Sequence, residues 1–183
     1  CALPILIGDS AGGNLVMSLT LILIKENRTL PTGILLPYPA LDVSSPRYTP
    51  SLKASFEDPI LAYSYLPILM AAYLDDPDRG TVDPLVSSML IDDEHLRKFP
   101  PISISVGSED PLHDDSWRLV EKLKRLNHNI SMTVYLDMPH GYLSYDMIGG
   151  MPEVKPCQED AIQAIRDLLT DRKSGVEGKS VDL

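Results

Sequence analysis

Apolar and polar positions along the chain alternate between short continuous apolar runs and longer stretches with helical spacing. Residues 2–7 form an apolar run closed by Gly8, the pattern of a strand covered on both faces, with Pro4 tolerated near its start. Residues 14–26 are apolar nearly all round, which predicts a buried helix. A second strand is predicted over residues 33–36, entered through Pro31 and followed by Pro37 and Pro39. Residues 44–59 turn to Ser, Pro and Tyr and read as a loop. Residues 60–74 are apolar and carry Tyr63, Tyr65 and Tyr73, predicting a helix broken at Pro67. A turn-rich linker over 75–84 leads toward a strand at 102–106, ended by Gly107, and a helix at 116–126. A fourth strand is expected at 132–136, and an amphipathic helix at 160–169 with Ile162, Ile165 and Leu169 on one face. Residues 172–183 lose all periodicity and read as a polar tail. Apolar strands separated by helices predict an α/β fold with a mostly parallel sheet and helices on both faces.

Composition narrows the function classes. At 183 residues the chain fits one domain with a sizeable core. Its net charge of −10 speaks against nucleic acid and against an anionic membrane surface, both of which recruit Lys and Arg. The longest apolar stretch, residues 15–24, is interrupted by Ser18 and Thr20 and is far short of the roughly 20 residues of a membrane span. Two cysteines, Cys1 and Cys157, do not make a disulfide framework, so a reducing compartment, the cytoplasm, is expected. The first residues already read as the middle of a core strand, which predicts a preceding segment and makes the chain a fragment; a leader on that segment stays open. The sequons at Asn27 and Asn129 are short enough to recur by chance.

The strongest chemical signal is Gly8-Asp9-Ser10-Ala11-Gly12-Gly13-Asn14. It follows an apolar strand and opens a helix, the context that a nucleophile elbow requires. Gly8 and Gly12 are expected to relieve clashes at the tight turn so that the Ser10 hydroxyl protrudes. The competing readings are an ordinary Gly-rich strand-to-helix turn or a phosphate loop at a helix N-terminus, but no Lys follows the glycines and the spacing is not G-x-G-x-x-G. A serine nucleophile needs a base, and the base an orienting carboxylate, later in the chain. Of the four histidines, His95, His113 and His128 sit in charged, helix-opening or polar-turn contexts, whereas His140 directly follows a strand. Groups that act in open α/β sheets gather at the carboxyl ends of strands, which selects His140. For the acid, Asp110 lies nearest the end of its strand among the aspartates, with Glu109 a near competitor; a helix N-cap is the structural alternative for Asp110. Asp114 and Asp115 suit the first turn of a helix. No metal is implied, since the histidines are not spaced as ligands, and no cofactor is called for.

Taken together these segments resemble the hormone-sensitive lipase family of α/β-hydrolases, nearest to its eukaryotic branch, with microbial esterases and arylacetamide deacetylases next. Residues 8–13 match the G-D-S-A-G-G motif, residues 110–115 the D-P-x-x-D-D segment, and Pro139-His140-Gly141-Tyr142 the histidine segment. Asp83-Pro84-Leu85-Val86-Ser87 resembles the family's N/D-P-x-x-S stretch. The resemblance implies that residues 1–171 are the C-terminal portion of an α/β-hydrolase catalytic domain, followed by the tail. It implies a serine ester hydrolase with Ser10 as nucleophile, His140 as base and Asp110 as triad acid, framed by Gly8, Asp9, Gly12 and Gly13. Ala11, next after the nucleophile, would supply an oxyanion-hole amide. The family's H-G-G motif, a further source of such amides, does not occur in this chain, so the isolated chain is expected to be nearly inactive. Only 99 residues separate Ser10 from Asp110, which leaves no room for the regulatory insertion of the eukaryotic branch. The implied substrate is a lipid ester such as an acylglycerol, with contact to a lipid-droplet surface; a small aryl or alkyl ester is the alternative. A non-catalytic ligand receptor on the same fold is the rival from another class. The stretch 60–73 reads either as the wall of an acyl pocket or as a core helix.

Overall fold

The computed structural model describes residues 4–44, 49–148 and 150–170, and the side chains of all of these except 146–148. Cys1, the first two residues of the predicted first strand that follow it, and the predicted tail lie outside the described residues.

Four strands, β1 (Ile5–Ile7), β2 (Gly33–Pro37), β3 (Ile102–Gly107) and β4 (Ile130–Tyr135), form one parallel sheet in the order 1-2-3-4. Leu6 stands beside Ile34, Ile34 beside Ile102, and Ile102 beside Ile130, so the apolar rows are in register across the sheet. Among the described residues β1 and β4 are the outer strands. Every residue of β2 is buried, the mark of a strand covered on both faces. Helix α1 (Ala11–Lys25) joins β1 to β2, and a long excursion joins β2 to β3. That excursion carries α2 (Pro50–Ala54), a 3₁₀ turn (Tyr63–Tyr65), α3 (Leu66–Tyr73), α4 (Arg79–Val82), a second 3₁₀ turn (Ser88–Leu90) and α5 (Asp93–Leu96). Helix α6 (His113–Arg125) joins β3 to β4, and a 3₁₀ segment (Tyr142–Ile148) leads to α7 (Val154–Thr170).

The main core lies between the sheet and two helices. Met17 and Leu21 of α1, and Leu119 and Leu123 of α6, meet Ile34, Leu36, Ile102 and Ile104 of the strands. Period-2 alternation turns Gly33 the other way, where Leu168 of α7 sits so close that a Cβ on Gly33 would come within 2.8 Å of it. Both long inner helices stop the same way. Asn27 and Asn127 take left-handed φ values of 53° and 55°, and the next amides, Arg28 and His128, bond back to the carbonyls of Leu23 and Leu123. Asparagine tolerates that conformation, so each helix closes without a glycine.

Several sequence expectations are corrected here. Helix α1 is not buried all round: Leu15, Leu19 and Ile22 are exposed on one side. The 3₁₀ turn Tyr63–Tyr65 gives way to α3 at Leu66, so the expected break falls beside Pro67, which sits in the first turn of α3 as a residue without an N–H can. None of the residues of α3 is buried, which removes the core-helix reading of 60–73. Helix α7 begins at Val154 and turns Val154, Cys157 and Leu168 inward, while Ile162 and Leu169 are exposed. The loop predicted over 44–59 contains the short helix α2, capped by the Thr49 hydroxyl accepting from Leu52 N–H; residues 45–48 of that loop lie outside the described residues.

Candidate active site

The carboxyl ends of β1, β2 and β3, with the turn after β4, converge on one end of the sheet, and the residues singled out from sequence lie there. Ser10 occupies the turn between β1 and α1 with φ 50° and ψ −121°, a conformation that costs a non-glycine residue about 1–3 kcal/mol. Backbone bonds hold it there. Its N–H donates to the Pro37 carbonyl, and its own carbonyl accepts from Gly13 and Ala40 N–H. The turn also depends on close approach. A Cβ on Gly8 would lie 2.2 Å from the Gly12 carbonyl oxygen, and one on Gly13 would lie 2.6 Å from Pro39 Cβ. At Gly12 the nearest atom among the described residues is 3.8 Å away. Gly8 and Gly13, rather than Gly8 and Gly12, are therefore the positions where steric demand is strict.

Ser10 Oγ lies 2.8 Å from His140 Nε2, and His140 Nδ1 lies 2.9 and 3.0 Å from the two oxygens of Asp110. The tautomer follows from donor chemistry. A carboxylate only accepts, so Nδ1 carries the proton and Nε2 offers its lone pair to the Ser10 hydroxyl. Asp110 and His140 are buried, with 0% and 3% of their surface exposed. Asp110 Oδ1 also accepts from Leu112 N–H at 2.7 Å, but α6 begins at His113 with Leu112 as its N-cap and no side-chain cap bond, so Asp110 is not the helix N-cap weighed from sequence. Glu109, the competitor, instead accepts from the Ser108 hydroxyl. Ala11 is the first residue of α1, a position whose amide has no partner inside the helix.

The remaining histidines are engaged elsewhere. His95 Nδ1 pairs with Asp92, His113 Nε2 accepts from the Trp117 indole, and His128 Nε2 meets the Phe99 carbonyl. A cavity of about 380 Å³ lined by Arg97, Phe99, Leu126 and His128 lies before β3 and β4, at the opposite end of the sheet from Ser10. Among the described residues no group of three His, Cys, Asp or Glu side chains is arranged to hold a metal ion.

Supporting residues that sequence reasoning missed surround the imidazole. Tyr38, directly after β2, presents its ring edge-on to His140 with centroids 5.1 Å apart, with Asp9 near its hydroxyl. Burial, with Asp9 and Asp110 nearby, pushes the Tyr38 phenol well above its ordinary range. Tyr142 donates to Ser105 Oγ from full burial, which likewise raises its phenol. Asp58, 6% exposed, accepts from the His140 backbone N–H at 3.1 Å. Two predicted features have a different role from the one expected. Asp115 does open α6, but it is fully buried and accepts from Leu41 and Asp42 N–H, fixing the loop after β2. The stretch 83–87 braces the elbow helix. Asn14 donates to the Val86 carbonyl and accepts from Ser88 N–H, Ser18 donates to the Leu85 carbonyl, and Ser87 Oγ accepts from Val43 N–H.

Residues 4–144 match the family described as the alpha/beta hydrolase fold. An esterase of Acinetobacter venetianus is 30% identical over 168 residues, 91% of this chain and 53% of that protein. Human hormone-sensitive lipase is 32% identical over 88 residues, 48% of this chain and 8% of that protein. A solved esterase from the bacterial hormone-sensitive lipase family superposes with a TM-score of 0.77 at 27% identity, covering 90% of this chain and 53% of that one. The chain thus spans about half the length of the Acinetobacter esterase. A parallel sheet with a strained serine at the end of β1, the family match over residues 4–144, and likeness to the two bacterial esterases over nine-tenths of its length make the chain a member of the α/β-hydrolase family, in its hormone-sensitive lipase branch.

Proposed function

We infer that the protein is a serine carboxylic-ester hydrolase in which Ser10, His140 and Asp110 act as the triad. The observation that carries this reading is the continuous contact from the Ser10 hydroxyl through both nitrogens of His140 to Asp110, in the chain order serine, acid, histidine. Ser10 Oγ attacks the ester carbonyl carbon while His140 Nε2 takes the hydroxyl proton. Asp110 holds the tautomer and stabilises the imidazolium. The tetrahedral intermediate collapses, and the leaving alcohol takes the proton from Nε2. A water molecule then repeats the sequence on the acyl-enzyme and releases the acid. The Ala11 N–H is the oxyanion donor this chain supplies, and the loss of one donor from such a hole costs about 2.7–4 kcal/mol. With the H-G-G donors lacking from this sequence, the 183-residue chain by itself is expected to turn over very slowly.

An apolar acyl chain is the substrate we favour. Ile60, Tyr65, Ile68, Leu69 and Tyr73 are exposed on the run 60–73, and Ile60 Cγ2 is 3.7 Å from where a Cβ on Gly141 would lie, next to the base. That run is also the surface we assign to a lipid interface such as a droplet. Among the described residues no helix is long and apolar enough to cross a membrane. Cys157 is a buried free thiol, which fits the reducing compartment, the cytoplasm, that we assign.

The test uses the complete natural polypeptide, a fluorophosphonate probe and p-nitrophenyl esters from acetyl to oleoyl. Ser10→Ala is expected to abolish both labelling and turnover, and turnover is expected to rise with acyl length. Undiminished turnover in Ser10→Ala removes the triad reading. A maximum at acetyl replaces the lipid ester with a small one, and a wild type that neither labels nor turns over favours a receptor.

A further inference from the structure

Asp58 contributes nothing to the relay just described, yet its carboxylate is buried and makes three bonds to backbone amides. Oδ1 accepts from Ile60 N–H at 2.9 Å and Leu61 N–H at 2.7 Å, and Oδ2 accepts from His140 N–H at 3.1 Å. Burying a carboxylate is costly unless its oxygens are satisfied, and here the donors come from two segments 80 residues apart in sequence. One is the start of the exposed apolar run, and the other is the base itself.

The loop that carries Asp58 is anchored a second time, at the acid. Ser51 Oγ donates to the Pro111 carbonyl at 2.8 Å, Ser51 N–H donates to Asp114 Oδ2, and Asp114 N–H donates back to Ser51 Oγ. Pro111 is the residue after Asp110. One loop, residues 49–61, is therefore bonded to the turn holding the triad acid and to the main chain of the triad base. Asp58 N–H in turn donates to the Ser55 carbonyl at the end of α2, which fixes the carboxylate relative to the Ser51 anchor.

We propose that Asp58 is a positioning residue for His140, setting the main-chain placement from which the imidazole reaches both Ser10 and Asp110. The side chain of His140 is held at Nδ1 by Asp110, but rotation and tilt of the ring still depend on where its backbone sits. Asp58 fixes that backbone through the His140 N–H, a contact separate from the one Tyr38 makes with the ring. It also ties His140 to Ile60 and Leu61, so the geometry of the base is set by the segment to which we assign the acyl chain. The proposal rests on the triad reading above.

Asp58→Asn and Asp58→Glu, made in the complete natural polypeptide, test it. An amide offers one acceptor oxygen to three N–H donors and opposes the remainder with its own N–H groups. Active sites are counted by fluorophosphonate burst, so that kcat refers to folded, reactive enzyme only. Asp58→Asn is expected to lower kcat by about 10- to 100-fold, since small misplacement of a catalytic group has that effect. KM is expected to change less than kcat, because Asp58 itself touches no substrate although its amide partners Ile60 and Leu61 begin the segment assigned to the acyl chain. Asp58→Glu keeps both acceptor oxygens and is expected to recover part of the loss. Unchanged kcat per active site in Asp58→Asn overturns the proposal, as do equal losses in the two variants. Failure of both variants to fold also overturns it and makes Asp58 a residue of the scaffold. If Ser10→Ala abolishes turnover while Asp58→Asn retains it, the triad reading stands and this proposal alone falls.

Discussion

Tyr38 and His140 meet edge to face, ring centroids 5.1 Å apart and planes inclined at 68°. The contact walls one side of the imidazole, and Asp9, the residue before Ser10, lies near the Tyr38 hydroxyl. Tyr38→Phe keeps the wall and removes only the hydroxyl, whose neighbour Asp9 is solvent-exposed. Stability is expected to fall by about 0.5–1.5 kcal/mol, with kcat within a fewfold of wild type. Tyr38→Ala removes the wall, and kcat is expected to fall about 10- to 100-fold. Steady-state kinetics of the two variants side by side check this; equal kcat values would mean that the ring does not position the base.

The glycines of the elbow are expected to respond unequally. An alanine methyl at position 8 would strike the Gly12 backbone, and one at position 13 would strike Pro39, whose neighbour Ala40 holds the Ser10 carbonyl. Gly13→Ala is expected to cost about 1–3 kcal/mol and to depress kcat as the Pro39–Ala40 backbone shifts. Gly12→Ala meets nothing closer than 3.8 Å and sits inside α1, where alanine favours the helix by up to about 1 kcal/mol. Urea midpoints and kcat of the two single variants measure the contrast. A Gly12→Ala variant as damaged as Gly13→Ala would contradict it.

What could be read before folding was the chemistry tied to punctuation. A glycine-flanked serine after an apolar run, and a histidine just past a strand, located the elbow and the candidate base because the strand ends fix where such residues point. The sheet was legible for the same reason, its strands being continuous apolar runs. Asp58 was not legible, since it lies in a stretch without periodicity and its partner amide is 82 residues away. Asp115 was legible as an acid opening a helix, but nothing local distinguishes an acid facing solvent from one buried against the Leu41 and Asp42 amides. The inward face of α7 was misassigned because its start was set six residues late. Val154 and Cys157, which fix the buried side with Leu168, fell outside the window.

Alkaline pH is expected to destabilise the fold through its buried phenols. Tyr38 and Tyr142 are 2% and 0% exposed, and burial raises both above the ordinary phenol value. The folded state therefore favours the neutral form. Their contribution is complete below about pH 10, where phenols in the unfolded chain begin to ionise, and is lost as pH rises toward the folded values. Each phenol adds up to about 1.4 kcal/mol per pH unit to that loss. Tyr142→Phe lowers stability near neutrality by removing the bond to Ser105, but its stability is expected to decline less steeply above pH 10. Urea unfolding of wild type and variant at pH 8, 10 and 11 reads the difference in slope; parallel curves would exclude Tyr142 as a source.

The outer strand β1 and the neighbouring face of α1 are expected to make the 183-residue chain self-associate when prepared by itself. Ile7 is 51% exposed, and Leu15 and Leu19 of α1 are 57% and 44% exposed. Among the described residues β1 has a strand on one side only; such an edge is a template for pairing with another chain, and an exposed apolar helix face adds to the contact. The net charge of −10 opposes association at long range, but that repulsion is screened within about 8 Å at physiological salt and does not act across a close apolar contact. Light scattering on a size-exclusion column is expected to show polydisperse oligomers that grow with salt. Leu15→Lys combined with Leu19→Lys places charge on the helix face without touching the main core and is expected to shift the population toward monomer. A monodisperse, cooperatively melting monomer of the unsubstituted chain at high salt would show that the edge and this face are protected within the chain itself.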